Sequence, residues 1–301
     1  MKILVIIVTY NAMQWAERCF NSLMRSTIRS DVFVVDNGST DGTQAYIREY
    51  YPEVIFFQNE VNLGFGKANN IGLQYLIDND YDYAYLLNQD AWVMPETFER
   101  LIGLSKKYQE YGILSPFQMN ADLFHIDLNF ISNVLEWKSN PDIVNDLYNS
   151  RVSEVYPVSC VMAAHWLMTR ECLLKVGGFS PTFPHYAEDD NYADRVHLKG
   201  LKIGIVPSLR VVHDRGWREN SKKKIMHLAY TQFLRIISDP SKNPLKQYLK
   251  AVKQLLKSIR YYGSIVPLIN ACLITIHLYR IINNRKISIK NDCAFLEKRF
   301  S

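Results

Sequence analysis

The first apolar run, ILVIIVTY, has no polar alternation, which is the pattern of a strand covered on both faces. Residues 12–27 follow with Trp15, Cys19 and Leu23 at helical spacing and predict a helix. VFVVD at 32–36, VIFFQN at 54–59 and YAYLLN at 83–88 repeat the strand pattern. Between them, the polar turn NGSTDGT at 37–43 is suited to cap the next helix. NLGFGKANN at 62–70 opens a helix running to about Ile77, and Pro95 starts another to about Tyr108. Residues 116–156 carry no periodicity that assigns them. VYPVSCVMAAHWLMT at 155–169 reads as strand, and RECLLKVGGF as a short helix ended by Gly177–Gly178. Residues 188–199 suit a helix, LKIGIVP a strand, and the chain beyond His213 turns helical and basic. Repeated βαβ units predict an α/β fold with a mainly parallel sheet and helices on both faces. No internal repeat or low-complexity linker interrupts it.

Composition changes this picture in two places. The 301 residues suffice for one large α/β domain with an appendage. Residues 1–214 hold 17 Lys and Arg against 26 Asp and Glu, a net of −9, whereas residues 215–301 hold 18 against 4, a net of +14. An acidic body with a basic tail implies two functional zones, the tail suited to anionic lipid or an anionic acceptor. No nucleic-acid reader motif accompanies the charge, so a nucleic-acid partner is not expected. The cysteines at 19, 160, 172, 272 and 293 form no C-x-x-C pair, which argues against a zinc or redox motif and for free thiols in a reducing, cytoplasmic setting. MKILVIIVT has a short apolar run without a small-residue cleavage site and reads as a strand rather than a signal peptide. The 19 tyrosines fit core and interface packing better than a sugar-stacking surface.

The candidate chemistry sits at strand ends. In open parallel sheets, ligands bind beyond the carboxyl ends of the strands. Thr9-Tyr10-Asn11, Asp36-Asn37-Gly38-Ser39 and Asn88-Gln89-Asp90 occupy three such ends and converge if the strands are parallel. A carboxylate there can accept the imide N–H of uracil or thymine, and Tyr10 can cover a base face. No G-x-G-x-x-G follows the first strand, which excludes a nicotinamide dehydrogenase. The same lack of glycine in VTYNAMQW speaks against a nucleotidyltransferase.

VTYN, VVDNGSTDGT, NLGFGKANNIG, LLNQDA and VGGFSPTFPHYAEDDNYADRVHLKGLKIGIVPSLRVVH, in that order, resemble family 2 of the inverting glycosyltransferases over about residues 3–213. The resemblance implies a GT-A (Rossmann-like) fold. It implies that Thr9, Asp36 and Ser39 hold the nucleoside with Asp41 as helper, and that the GFGKANN loop brings Lys67 and Asn69 to the base, ribose or diphosphate. Tyr10, Asn11 and Asn88 complete this set. Asn88-Gln89-Asp90 stands where the family carries its D-x-D metal motif, which implies Mg²⁺ or Mn²⁺ as cofactor with Asp90 as ligand. Asn88 replaces the first Asp and brings no charge. Asp189 falls on the catalytic base, which takes the acceptor proton, and like charges beside it raise its pKa. Acidic residues at 188–190 also suit a helix N-terminus, which is the plainer explanation. His213 falls near a His that completes the metal site. Glu188 and Trp166 are the acceptor-side candidates.

In the tail, Lys246, Lys250, Lys253, Lys257 and Arg260 run beside Leu249, Val252, Leu256 and Ile259, a basic amphipathic helix able to lie on a membrane or on the body. Residues 264–282 are apolar but interrupted by Pro267, Asn270, His277 and Arg280, which favours a buried or interfacial helix over a span. The expectation is a GT-A domain over 1–214, with a nucleotide half to 115 and an acceptor half from 116, and a helical tail over 215–301. The expected reaction moves a hexose or deoxyhexose from a UDP- or dTDP-sugar to a hydroxyl of a glycan or lipid-linked glycan. This is cell-surface glycan synthesis of the polysaccharide or O-antigen type, in the cytoplasm or at the inner membrane face. The rival is a degenerate, membrane-associated nucleotide-sugar binder, favoured only by Asn88.

Overall fold

The computed structural model describes residues 1–134, 140–215, 221–262 and 266–297. The first half runs β1 (Ile3–Thr9), α1 (Met13–Met24), β2 (Asp31–Asp36), α2 (Thr43–Tyr50), β3 (Ile55–Gln58), α3 (Phe65–Asp78) and β4 (Tyr83–Asn88). There follow β5 (Ala91–Trp92), α4 (Thr97–Lys107), β6 (Tyr111–Met119), α5 (Leu128–Val134), α6 (Pro141–Tyr148), β7 (Tyr156–Val158), β8 (His165–Thr169), α7 (Arg170–Val176), α8 (Glu188–Leu198) and β9 (Lys202–His213). The tail supplies α9 (Lys222–Ser238), α10 (Pro244–Tyr262), α11 (Val266–Ile276) and α12 (Leu278–Lys290).

One sheet carries the order β3-β2-β1-β4-β8-β6-β9-β5, with β7 added on β9. The apolar character of β1 has a direct cause. Leu4 and Ile6 enter one core with α3, while Ile3, Val5 and Ile7 enter the other with α1, α2 and α4. Each such buried side chain stabilises the fold by roughly 1.5–3 kcal/mol. β1 to β4 are parallel, as expected, so their polar ends share one edge. The other half is mixed: β8 runs antiparallel to β4 and β6, and β5 and β7 antiparallel to β9.

Three segments differ from the sequence expectation. The run at 155–169 is two strands, β7 and β8, that pair with different partners. The two strand readings LKIGIVP and VPSLRVV, the latter leading into His213, are a single strand, β9. It continues to His213, because the ladder with β6 skips from Pro116↔Val206 to Phe117↔Arg210 and leaves Pro207 outside the pairing it cannot donate to. The apolar stretch at 264–282 divides into α11 and α12 at His277, and no helix among the described residues is long and apolar enough to cross a membrane. The side chains of Ile259, Arg260 and Pro267 lie outside those described.

The tail is packed on the body rather than appended to it. Phe183 and Ala187 share a core with Phe233, Leu234, Ala251, Leu255 and Ile274. Arg235 of α9 pairs with Asp190 at 3.0 Å and Asp194 at 3.3 Å on α8.

Candidate active site

The ends of β1 and β2 are tied together through one buried carboxylate. Register places Thr9 beside Asp36. Asp36 accepts hydrogen bonds from Thr9 Oγ1 at 2.8 Å, Ser39 Oγ at 2.6 Å, Gln44 Nε2 at 2.7 Å, and the Gly38 and Ser39 amides. Those five donors fill its acceptor sites, and Thr9 and Asp36 are fully buried. Their expected direct contact with a nucleoside is therefore corrected: they shape the turn that a base would meet. Ser39 likewise donates to Asp36 and accepts from the Asn11 amide. Asp41 is spent the same way, accepting from Thr43 and from the Met13 amide. Asn69 is buried in α3 and donates to the Phe65 carbonyl, so it too is corrected from ligand to support.

What faces open space on this side is Tyr10, Asn11 and Lys67, while Asn37 is buried at the rim, its amide bonded to Asn59, Leu63 and Gly64. Tyr10 is 47% exposed, and its backbone is gripped by Gln89, which accepts from its N–H at 2.7 Å and donates to its carbonyl at 3.2 Å. Asn11 holds a left-handed φ of 52° while its Oδ1 accepts from the Thr40 amide. Gly64, at φ 79°, lies so close to the Pro184 carbonyl that no side chain fits, which brings the GFGKANN loop against the other half of the molecule.

At the end of β4, Asn88, Asp90 and His213 converge. His213 Nε2 lies 3.5 Å from Asp90 Oδ1 and 3.5 Å from Asn88 Nδ2. Burial works to raise the Asp90 carboxyl, but His213 and Arg215 outweigh it and hold it below the ordinary carboxylate range. Asn88 Oδ1 is buried without a partner, and half a turn of the amide brings it toward His213. An orphaned oxygen, a carboxylate and an imidazole in one space fit a divalent cation that keeps donor oxygens and water in its remaining positions. Among the described residues no group of three His, Cys, Asp or Glu side chains is placed to hold a metal ion by itself. On the far side of His213, Nδ1 lies 3.7 Å from Oδ2 of Asp127, a buried residue whose Oδ1 accepts from the Phe130 amide to cap α5.

The acceptor side centres on the start of α8. Tyr186 (φ 69°) and Ala187 (φ 66°) are consecutive left-handed residues without being glycine, a strained entry held by packing. Burial, and then Asp190, raise the Asp189 carboxyl above the ordinary range. Glu188 is buried with Oε2 unpartnered, and burial followed by Asp189 raises it too. Arg215 acts electrostatically on both Asp90 and Asp189 and lines the same cleft.

Two acceptor expectations are corrected. Trp166 is fully buried, stacked on Phe179 with centroids 6.2 Å apart, and donates to the Val161 carbonyl, so it is core. Glu188 backs the cleft rather than lining it. His165 is also structural: it is pushed down to about 3 by burial and bonded to Tyr85 Oη and the Val212 carbonyl.

The cleft measures about 1550 Å³ and runs from Tyr10 and Lys67 past Asp90 to His185, Tyr186 and Arg215. That exceeds the roughly 300–1,000 Å³ of a single small-molecule pocket and leaves room for two substrates. Of the expected residues, Tyr10, Asn11, Lys67, Asn88 and Asp90 line it, His213 is fully buried beside Asp90, and Asp189 is half-buried at the start of α8. Sequence reasoning missed Asp127 and Arg215, and named Asn37 and Gln89 only as members of the strand-end clusters. Arg215 was findable as the second residue after His213, but Asp127 lies in the stretch without periodicity.

The family model for glycosyl transferase family 2 matches residues 4–143. An N-acetylglucosaminyl-diphospho-decaprenol L-rhamnosyltransferase of Mycobacterium tuberculosis is 26% identical over 249 residues, which cover 75% of this chain and 80% of that one. Residues 1–349 of Staphylococcus aureus TarS, solved in complex with UDP, superpose with a TM-score of 0.54 at 15% identity, over 96% of this chain and 81% of that one. This chain covers 44% of the longer TarS structure. A mannosyltransferase of Pyrobaculum calidifontis in complex with GDP-Man and Mn²⁺ gives 0.53 at 17% identity, over 95% and 73%.

Proposed function

Membership of glycosyl transferase family 2, carried by residues 4–143, is the premise from which we propose that this chain is an inverting, metal-assisted transferase. It moves a hexose or deoxyhexose from a UDP- or dTDP-sugar to a hydroxyl of a lipid-linked glycan, in cell-surface polysaccharide synthesis at the cytoplasmic membrane face. The likeness to a rhamnosyltransferase whose name carries a diphospho-decaprenol acceptor supports that acceptor class.

Tyr10 and Asn11 receive the nucleoside, and Lys67 the diphosphate. Asp90, His213 and the Asn88 oxygen are the groups that would hold Mg²⁺ or Mn²⁺. The cation supplies positive charge to a diphosphate leaving group. Asp189 takes the proton of the acceptor hydroxyl. The acceptor oxygen bonds to the anomeric carbon as the bond to the diphosphate oxygen breaks on the opposite face, and the configuration inverts. Arg215 and Lys67 meet the charge that the leaving diphosphate gathers.

The observation that carries this reading is Arg215. It lines one cleft with Tyr10, Lys67 and Asp90, and that cleft reaches Tyr186 just ahead of Asp189, which fits one donor and one acceptor meeting there. The test is Asp189→Asn assayed by product formation from UDP- and dTDP-sugars. The expected loss is about 10²–10⁴-fold with an unchanged melting temperature. Near-normal turnover in the folded variant overturns the base assignment. Asn88, which brings no charge to the metal side, favours the second reading, a nucleotide-sugar binder without turnover. Metal-dependent donor hydrolysis by the unaltered chain rules that reading out.

A further inference from the structure

Helix α11 carries no charged residue from Val266 to Ile276. A helix apolar on every side belongs in an interior. Among the described residues only one face of it is covered, where Ala271 and Ile274 pack against α9 and α10. Ile269 remains 49% exposed and Ile276 71%, and Tyr279 one turn further on is 85% exposed. The neighbouring α10 shows the same excess. Its Ala251 and Leu255 turn inward, while Leu245 at 64%, Leu249 at 60% and Leu256 at 49% exposure form a separate stripe. Leu249, Val252 and Leu256 line a shallow groove there of about 670 Å³. Three- and four-residue spacing puts these leucines on one helix face.

Beside that stripe run Lys246, Lys250, Lys253 and Lys257, all exposed. Among the described residues none of their four ammonium groups is in an ion pair or hydrogen bond. Leucines edged by unpaired lysines match the boundary of an anionic bilayer. The apolar side chains enter the acyl edge, the lysine stems extend along it, and the ammonium groups meet lipid phosphates. The charge division supplies the orientation. A surface that attracts a tail of net +14 repels a body of net −9. Both helices pack on α9, whose Lys224 lines the catalytic cleft.

We infer that the α10–α11 hairpin is a docking surface for an anionic lipid bilayer, with the exposed leucines and isoleucines inserted and the four lysines on the headgroups. The inference deepens the lipid-linked-acceptor reading, and its test uses neither donor nor acceptor, so the two fail separately.

The experiment is co-sedimentation of the full chain with sucrose-loaded vesicles of phosphatidylcholine, with and without phosphatidylglycerol. The unaltered chain sediments with the anionic vesicles, and its partition falls steeply with added salt. Replacing Lys246, Lys250, Lys253 and Lys257 together by Gln weakens partition by about 100-fold or more. Leu249→Ser with Leu256→Ser and Ile276→Ser weakens it by about 10-fold or more. All seven positions are exposed, and circular dichroism verifies the fold. The salt dependence of the unaltered chain decides the matter if a variant fails to fold. Three results overturn the inference: no sedimentation with anionic vesicles, partition indifferent to lipid charge, or a solution dimer that the apolar substitutions dissociate without changing vesicle binding.

Discussion

Asp189 owes its basicity to burial first and to Asp190 second, and only the second can be removed without rebuilding the site. A carboxylate acts as base only when ionised, so a raised pKa places the acid limb of the rate profile above the ordinary aspartate range. Asp190→Asn deletes the neighbouring negative charge and leaves Arg235 without that partner. Both changes favour ionised Asp189, so the acid limb of kcat/KM against pH moves to lower pH. A limb that stays in place would mean Asp189 is not the titrating group. Asp127 has a different role. Its Oδ2 lies 3.7 Å from His213 Nδ1, and a carboxylate there favours a proton on Nδ1, which leaves the Nε2 lone pair for a cation held beside Asp90. Asp127→Asn is expected to weaken Mn²⁺ binding by about 10–100-fold, read by titration calorimetry in the presence of UDP, with UDP binding without metal unchanged. At this scale the sequence identified polar residues at strand ends but not their depth. Thr9 is adjacent to Tyr10 and Asn11 in the chain, yet Thr9 is sealed and the other two face the cleft. Side-chain alternation along an extended backbone decides which, and strand register decides how deep.

The elements legible in the sequence are those whose burial is uniform. β1 to β4 are covered on both faces, so each stands out as a short apolar run. β6 is just as buried, but it carries Pro116 and pairs with β9 through a register shift, and the short helices α5 and α6 follow without strong periodicity. The end of α7 was legible for a local reason. Gly177, at φ 88°, closes the helix, and the chain around Ala294 lies where a side chain on it would sit. Gly178 N–H donates to the Ala294 carbonyl at 2.8 Å from there. Gly177→Ala therefore meets backbone on one side and an unfavourable dihedral on the other. The expected loss is on the order of 2 kcal/mol or more, read as a lower denaturation midpoint. An unchanged midpoint would mean that the 293–297 segment does not close on this turn.

At the scale of the whole molecule, the division at 214 marks a change of charge but not a change of core. Phe183 and Ala187, just ahead of the base, are covered by tail helices, and Arg235 of α9 neutralises Asp190 and Asp194 of α8. From the other end, Phe295 lies over the fully buried Arg195 guanidinium, which donates to the Gly178 and Val176 carbonyls and is pushed down to about 10 by burial. Gln74 of α3 exchanges hydrogen bonds with the Glu297 backbone. A chain ending at 214 would expose Phe183, leave Asp190 and Asp194 of α8 without their cation, and open Arg195 to solvent. Loss of cover around a buried charge costs more than loss of apolar area alone. The full chain is therefore expected to unfold in one calorimetric transition, and residues 1–214 alone to lack a cooperative transition altogether. Two separable transitions in the full chain, with the first leaving nucleotide binding intact, would instead make the tail an independent module and leave the entry to α8 supported by the sheet alone.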